Sequence, residues 1–165
     1  FGFTIDSLAA ASIQELEDLI KPVGFYHNKA KYIKQASQML IDDFNNEVPN
    51  DLQSLLKLPG VGKKMANIAL ASCFGNVVGI GVDVHVHRIS NRLNWTSKQT
   101  KTPEQTESEL ESWMPRDLWR EVNLLLVGFG QQICTPKKPN CSGCLNSTNG
   151  LCPNAFKEDS PKKKK

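Results

Sequence analysis

The sequence has no apolar run approaching the roughly 18–20 residues that a membrane-spanning helix requires. Its longest apolar stretches lie around Ile68–Phe74 and Val122–Phe129. Residues 1–18 have no basic start and carry acidic residues early, so they do not read as a secretory signal. No initiator Met is present, and the expectation is a fragment or a processed form, from which a targeting segment could be missing. There is little net charge: +3 in all, of which the lysine run at 162–165 accounts for more than the whole. The body of the chain is slightly negative, so overall charge gives no argument for nucleic acid, and any such argument must rest on local clusters. No internal repeat is evident. With 165 residues, 39% hydrophobic and 22% charged, the chain fits one globular domain, with or without a small appendage.

Four of the five cysteines fall between residues 134 and 152. Disulfide frameworks usually spread along a small chain, so this crowding points to metal or cluster ligation instead. Cys134, Cys141, Cys144 and Cys152 are spaced C-x6-C-x2-C-x7-C. Four thiolates suit zinc or an iron–sulfur cluster, and spacing alone does not choose between them. Cys73 lies in an apolar helical stretch and reads as a small buried hydrophobe.

The patterning is helical nearly throughout. Ser12 and Glu15 form a capping box ahead of Ile13, Leu16, Leu19 and Ile20. A second helix is expected from about Lys29 to Phe44, with Ile33, Ala36, Leu40, Ile41 and Phe44 facing inward. Another forms around Leu52, Leu55 and Leu56, and the next runs from about Lys63 to Cys73. Residues 77–82 are β-prone but have no partner strand, so they read as a buried connector leading to a helix capped by Asp83. Thr102, Pro103 and Gln105 mark a further helix start, and Trp119–Gln132 is the last long helix.

The stretch 58–64 reads LPGVGKK. Gly60 and Gly62 give a very short turn the backbone freedom it needs. Amide N–H groups around Gly60, Val61 and Gly62, with the positive end of the next helix, could cradle one phosphate without reading a base. A Walker A loop is excluded, because Lys57 stands where its first Gly should be and Met65 follows Lys64. An ordinary helix–helix turn explains the same residues, and the stretch alone does not choose between the two.

Read together, LPGVGKKMANIAL, GVDVHVHRISNRL, LLVGFGQQIC and the cysteine run resemble the endonuclease III family of DNA repair enzymes. VGFYHNKAKYIKQ resembles its eukaryotic branch. The resemblance covers roughly residues 5–153. It implies an all-α, helix-hairpin-helix DNA glycosylase fold with a C-terminal iron–sulfur cluster loop. The implied organisation is a partial glycosylase domain over 1–132, the cluster loop over 133–153 and a basic disordered tail over 154–165. The partner it implies is double-stranded DNA with damaged pyrimidines or abasic sites, with the chain a monomer.

In that family LPGVG grips the DNA backbone, so Gly60, Val61, Gly62 and Lys63 are expected to contact phosphate. The resemblance places a catalytic lysine on Lys64 and a catalytic aspartate on Asp83. Lys64 on a helix N-terminus, if also desolvated, can act as a neutral amine nucleophile; Asp83 would move protons and stabilise a cationic sugar. Asp83 can equally be a helix cap and nothing more. Where the family commonly has VDTH, this chain has Val82-Asp83-Val84-His85. His85 and His87 are expected to support the fold or touch phosphate, and Arg88 to pair with a carboxylate or with DNA.

The family carries a [4Fe-4S] cluster on C-x6-C-x2-C-x5-C, so the last gap here is two residues longer, within residues 146–150. Lys137 and Lys138 lie in the first gap, where a pinned loop would present them to phosphates. Phe25 aligns with a wedge that fills the gap left by a flipped base; as a bland alternative it is a core aromatic. The family's leading helices carry a Ser-x-Gln motif that is absent here, so apolar surface is expected to lie bare. Two rival readings stand beside the bifunctional oxidised-pyrimidine glycosylase: a monofunctional mismatch glycosylase, and a non-catalytic DNA-binding fragment. Ser160-Pro161 before four lysines resembles a short nuclear-localisation signal, with the mitochondrion as a further destination.

Overall fold

The computed structural model describes residues 2–156. The lysine run and the Ser160-Pro161 stretch read as resembling a localisation signal lie outside the described residues. Two compact units divide between Val78 and Gly79, inside the segment that the sequence reads as one domain. All regular structure among the described residues is helical.

The first unit holds α1 (Ile5–Ala10), α2 (Ile13–Ile20), α3 (Tyr26–Asp43), α4 (Leu52–Leu55) and α5 (Lys63–Cys73). The Ser12–Glu15 capping box forms as expected. A second box, Thr4 with Ser7, starts the unforeseen helix α1. The long helix α3 is the spine, and it begins at Tyr26 rather than near Lys29. Its first half packs Ala30 and Ile33 against Ala11 and Leu16. Its second half packs Ala36, Leu40 and Phe44 against Leu55, Leu58 and Leu70. Lys34 bridges back to the end of α1, its Nζ donating to the carbonyls of Ala9 and Ala11 at 2.7 and 2.6 Å. Leu56 is exposed, because α4 ends one residue before it. Cys73 is also exposed, which corrects its reading as a buried hydrophobe: its spacing puts it on the same side of α5 as Ala66 and Leu70, but it is the last residue of the helix, and the buried part of α5 ends at Ala71.

The second unit holds α6 (Val84–Arg92), α7 (Pro103–Glu111), a 3-10 turn (Arg116–Leu118), α8 (Trp119–Gln132) and α9 (Leu145–Thr148). Ile80 and Val82 of the connector are buried with Val86, Ile89, Leu110 and Leu126. The connector is tied down without a strand partner. Glu111 accepts from the amide of Ile80 at 2.8 Å, and Asn123 donates to the carbonyl of Gly81 at 2.6 Å. On α8, Leu124 and Leu125 are 76% and 60% exposed. Among the described residues no helix is long and apolar enough to cross a membrane.

Candidate functional site

The hairpin between α4 and α5 closes through the Val61 amide, which donates to the Leu58 carbonyl at 3.1 Å. Leu58 is buried and Val61 packs on the same core, so the turn is anchored at both ends. Gly60 sits at φ +80°, and a Cβ there would meet the Tyr32 ring at 2.7 Å. Only glycine satisfies both the left-handed backbone and that close approach. Gly62 differs: its φ is −95°, and no atom stands within 4 Å of a Cβ placed on it. As N-cap of α5 it contributes no side-chain oxygen.

Lys63 and Lys64 occupy the first turn of α5, and both are exposed. The helix-end environment expected for Lys64 is present. Burial is not, so the desolvation expected of a nucleophilic amine does not come from the chain itself.

Phe25 is 85% exposed, which removes the core-aromatic alternative. It also adopts φ +61°, ψ +30° at the start of α3, a left-handed conformation that bulky residues rarely take. An aromatic ring is thus held out in solvent at a backbone cost. Just behind it, His27 pairs through Nδ1 with Glu17 at 2.9 Å, and its ring lies 4.0 Å from that of Tyr26.

In the second unit Asp83 caps α6. One oxygen, Oδ1, accepts from the amides of His85 and Val86 at 2.8 and 2.9 Å. The cap reading holds, and it fixes the carboxylate's orientation. Val84 is 68% exposed, so the change from VDTH leaves a surface-facing isopropyl group beside Asp83. His87 supports the fold, its Nδ1 lying 2.6 Å from Thr106 Oγ1 in a network that includes Asn91 and Thr100. Arg88 has a structural role: its Nη2 donates to the carbonyls of Gly130 and Cys134 at 3.0 and 2.9 Å, tying α6 to the end of α8. Burial pushes its pKa down from the ordinary guanidinium value and nearby Arg92 adds to this, while Cys134 and Asp83 oppose it.

Cys134, Cys141, Cys144 and Cys152 line one cavity, with Arg92 and Phe156 among its other walls. None is in a disulfide. The longer third gap is absorbed by α9, a single helical turn, and by Gly150 at φ +70°. Two of the sulfurs accept N–H donors: Cys134 from Arg92 Nη1 and Cys141 from the Phe156 amide, each at 3.3 Å. Among the described residues no three His, Cys, Asp or Glu side chains gather tightly enough to hold one metal ion. A mononuclear zinc site would require that, with each sulfur about 2.3 Å from a shared ion. The donor set itself, four thiols outside any disulfide lining one cavity, is of the kind that binds zinc or an iron–sulfur cluster.

Lys137 and Lys138 are exposed on the first loop. That loop is shaped by the chain's own bonds: Thr135 Oγ1 donates to the Lys138 carbonyl at 2.7 Å, and Arg92 donates to the carbonyls of Thr135 and Pro136. Sequence reasoning missed Tyr32, Arg92 and Phe156. Arg92 stands one turn after Arg88 on α6, a spacing that puts both on one face. Nothing in the sequence signals Phe156 or the ring beneath Gly60.

Residues 1–116 match the model of the HhH-GPD superfamily of base excision DNA repair proteins. Endonuclease III-like protein 1 of Mus musculus is 53% identical over 154 residues, 93% of this chain and 51% of that protein. The Gallus gallus counterpart is 51% identical, over 93% of this chain and 54% of its own length. The chain therefore spans about half the length of these relatives. Among solved structures, a non-covalent endonuclease III–DNA complex matches with TM-score 0.84 at 36% identity, covering 93% of this chain and 70% of that one. A trapped endonuclease III–DNA covalent intermediate matches with TM-score 0.83 at 36% identity, covering 92% and 70%. By family model, relatives and fold, the chain belongs to the endonuclease III family within the HhH-GPD superfamily.

Proposed function

We propose that the chain carries the catalytic core of a bifunctional DNA glycosylase and abasic-site lyase acting on oxidised pyrimidines in duplex DNA. The observation that carries this reading is Lys64 on the first turn of the helix after LPGVG. It stands in a chain whose structural relatives include a covalently trapped enzyme–DNA intermediate.

The amides at Gly60–Gly62 and the end of α5 hold one phosphate, and Lys63 adds charge. Phe25 enters the stack as the damaged nucleotide turns out. DNA closing over α5 supplies the desolvation that Lys64 lacks in the free chain. The neutral Nζ attacks the sugar C1′, the bond from C1′ to the base breaks, and the base leaves with a proton. The C1′–O4′ bond then breaks as O4′ takes up a proton, and the nitrogen lone pair forms the C=N bond of a protonated Schiff base. Removal of a C2′ proton then expels the 3′ phosphate oxygen, cutting the strand, and water releases Lys64. The role for Asp83, whose carboxylate is oriented by its cap bonds, is to move protons and stabilise the cationic sugar.

Cys134, Cys141, Cys144 and Cys152 are the residues that would hold a [4Fe-4S] cluster. Bound there, it would act as a structural pin for the loop bearing Lys137 and Lys138. The nucleus is the destination that the lysine tail suggests.

Similarity to a thermostable thymine-DNA glycosylase, with TM-score 0.77 and 27% identity, favours a second reading, a monofunctional mismatch glycosylase. Borohydride trapping on a duplex with one abasic site separates the two. A covalent adduct that falls by roughly a hundredfold in Lys64→Gln is the expected result. An undiminished adduct in that variant refutes the role of Lys64. A wild type that releases base without forming an adduct favours the monofunctional reading.

A further inference from the structure

Arg92, the last residue of α6, engages both ends of the cysteine segment. Nη1 donates to Cys134 Sγ at 3.3 Å and to the Thr135 carbonyl at 2.7 Å; Nη2 donates to the Pro136 carbonyl at 2.7 Å. The guanidinium carbon of Arg92 lies over the Phe156 ring, 5.3 Å from its centroid. Asn154 Nδ2 donates to the Arg92 carbonyl at 3.0 Å and lies 3.2 Å from Asn94 Oδ1. The Phe156 amide in turn donates to Cys141 Sγ. One arginine thus fastens the first ligand loop and the segment after the last cysteine, and both fastenings end on a sulfur.

We infer that Arg92, Asn154 and Phe156 form a clasp that closes the cysteine cavity and governs how long a thiolate-bound cluster survives there. The inference rests on the proposed reading of the four cysteines as cluster ligands. Asn154 and Phe156, which fall in the stretch 154–165 expected to be a disordered tail, are on this account a wall of the cofactor site. The physical grounds are threefold. The N–H donors from Arg92 and the Phe156 backbone reach Cys134 Sγ and Cys141 Sγ directly and so fix the positions of two of the sulfurs that line the cavity. A planar guanidinium satisfies several acceptors at once, which lysine cannot do in the same geometry. The Phe156 ring lies against that guanidinium beside the cavity, where it restricts access of water and chelator to the sulfurs.

The test uses the full chain and two measurements. Iron loss to excess chelator is followed in wild type, Arg92→Lys, Phe156→Ala and Phe156→Leu. Labelling of Cys134 and Cys141 by a thiol reagent is followed in the same proteins after the iron is removed. Phe156→Ala is expected to start with wild-type iron content and lose it about ten- to hundredfold faster, the range typical of residues supporting metal ligands. Arg92→Lys is expected to lose iron faster too, although it keeps the charge. Phe156→Leu, with some apolar cover but no ring, should fall between. Thiol labelling should accelerate in the same order. Wild-type rates of iron loss in Arg92→Lys and Phe156→Ala overturn the clasp. A wild-type chain that binds no iron refutes the cofactor reading instead, and labelling then judges the clasp: faster modification in Phe156→Ala upholds it, unchanged modification overturns it.

Discussion

The ring of Tyr32 on α3 lies so close to Gly60 that a methyl group on that glycine would sit 2.7 Å from its Cγ and Cδ2. The two glycines of LPGVG are therefore constrained by different things. Gly60→Ala is expected to lower stability by about 1–2 kcal/mol from the left-handed backbone alone, and further from the displaced ring. Adding Tyr32→Ala should relieve only the second part. Gly62→Ala should keep the melting temperature within a degree or two and weaken DNA binding, because its methyl group would project where phosphate is expected. Thermal unfolding and DNA titration of the variants separate these outcomes; equal binding by Gly62→Ala and wild type would remove the phosphate role.

Phe25 carries its ring into solvent at a positive φ. Phe25→Ala should leave stability within about 0.5 kcal/mol of wild type, since nothing is uncovered. Release of a stacked, damaged base should slow clearly. Strand cutting at an abasic site, where no base must be unstacked, should slow much less. Equal slowing on both substrates would show that Phe25 does not assist flipping.

Asp83 joins a cap and a charge in one side chain, and two variants divide them. Asp83→Asn keeps an oxygen for the amides of His85 and Val86 and should cost only a few tenths of a kcal/mol; Asp83→Ala should cost about 1 kcal/mol. If the charge matters to the chemistry, both lose activity to a similar degree. Activity that instead tracks stability, nearly intact in Asp83→Asn, would make Asp83 a cap and nothing more.

Three carboxylates sit below their ordinary pKa for one shared reason. Glu15, Asp51 and Glu109 accept backbone N–H bonds from Ser12, Ser54 and Ser97, which favour the charged form. The unfolded chain protonates at the ordinary values, 4.5 for Glu and 3.8 for Asp. Folding is thus helped above those values, and the help is lost as the pH falls through the lower folded-state values. The melting temperature should be flat with respect to these groups above about pH 5 and fall below about pH 4. Glu15→Gln should flatten part of that fall. A profile unchanged by the substitution would show that the cap contributes no linkage.

Local sequence signals placed most of the helices well. The boundaries of α5 and α8 follow from glycine punctuation and apolar periodicity, and those of α2, α6 and α7 from caps that lie within three residues of the amides they satisfy. Helix α3 was placed three residues late because its start has no capping side chain; Phe25 enters it from a left-handed turn. Periodicity aligns Cys73 with Ala66 and Leu70, but it does not say how far along a helix the core extends, and here it ends at Ala71.

The sequence by itself determined the helical class, the glycine hairpin with Lys64 behind it, the capping aspartate and the four-cysteine run. Each is a short-range pattern whose physics is complete within a few residues. Tertiary structure alone decided that Tyr32 underlies Gly60 and that Arg88 braces Gly130 and Cys134. It alone brought Arg92 and Phe156, 64 positions apart, together at the cysteine cavity. Those contacts depend on where distant helix ends meet, and no local spacing encodes that.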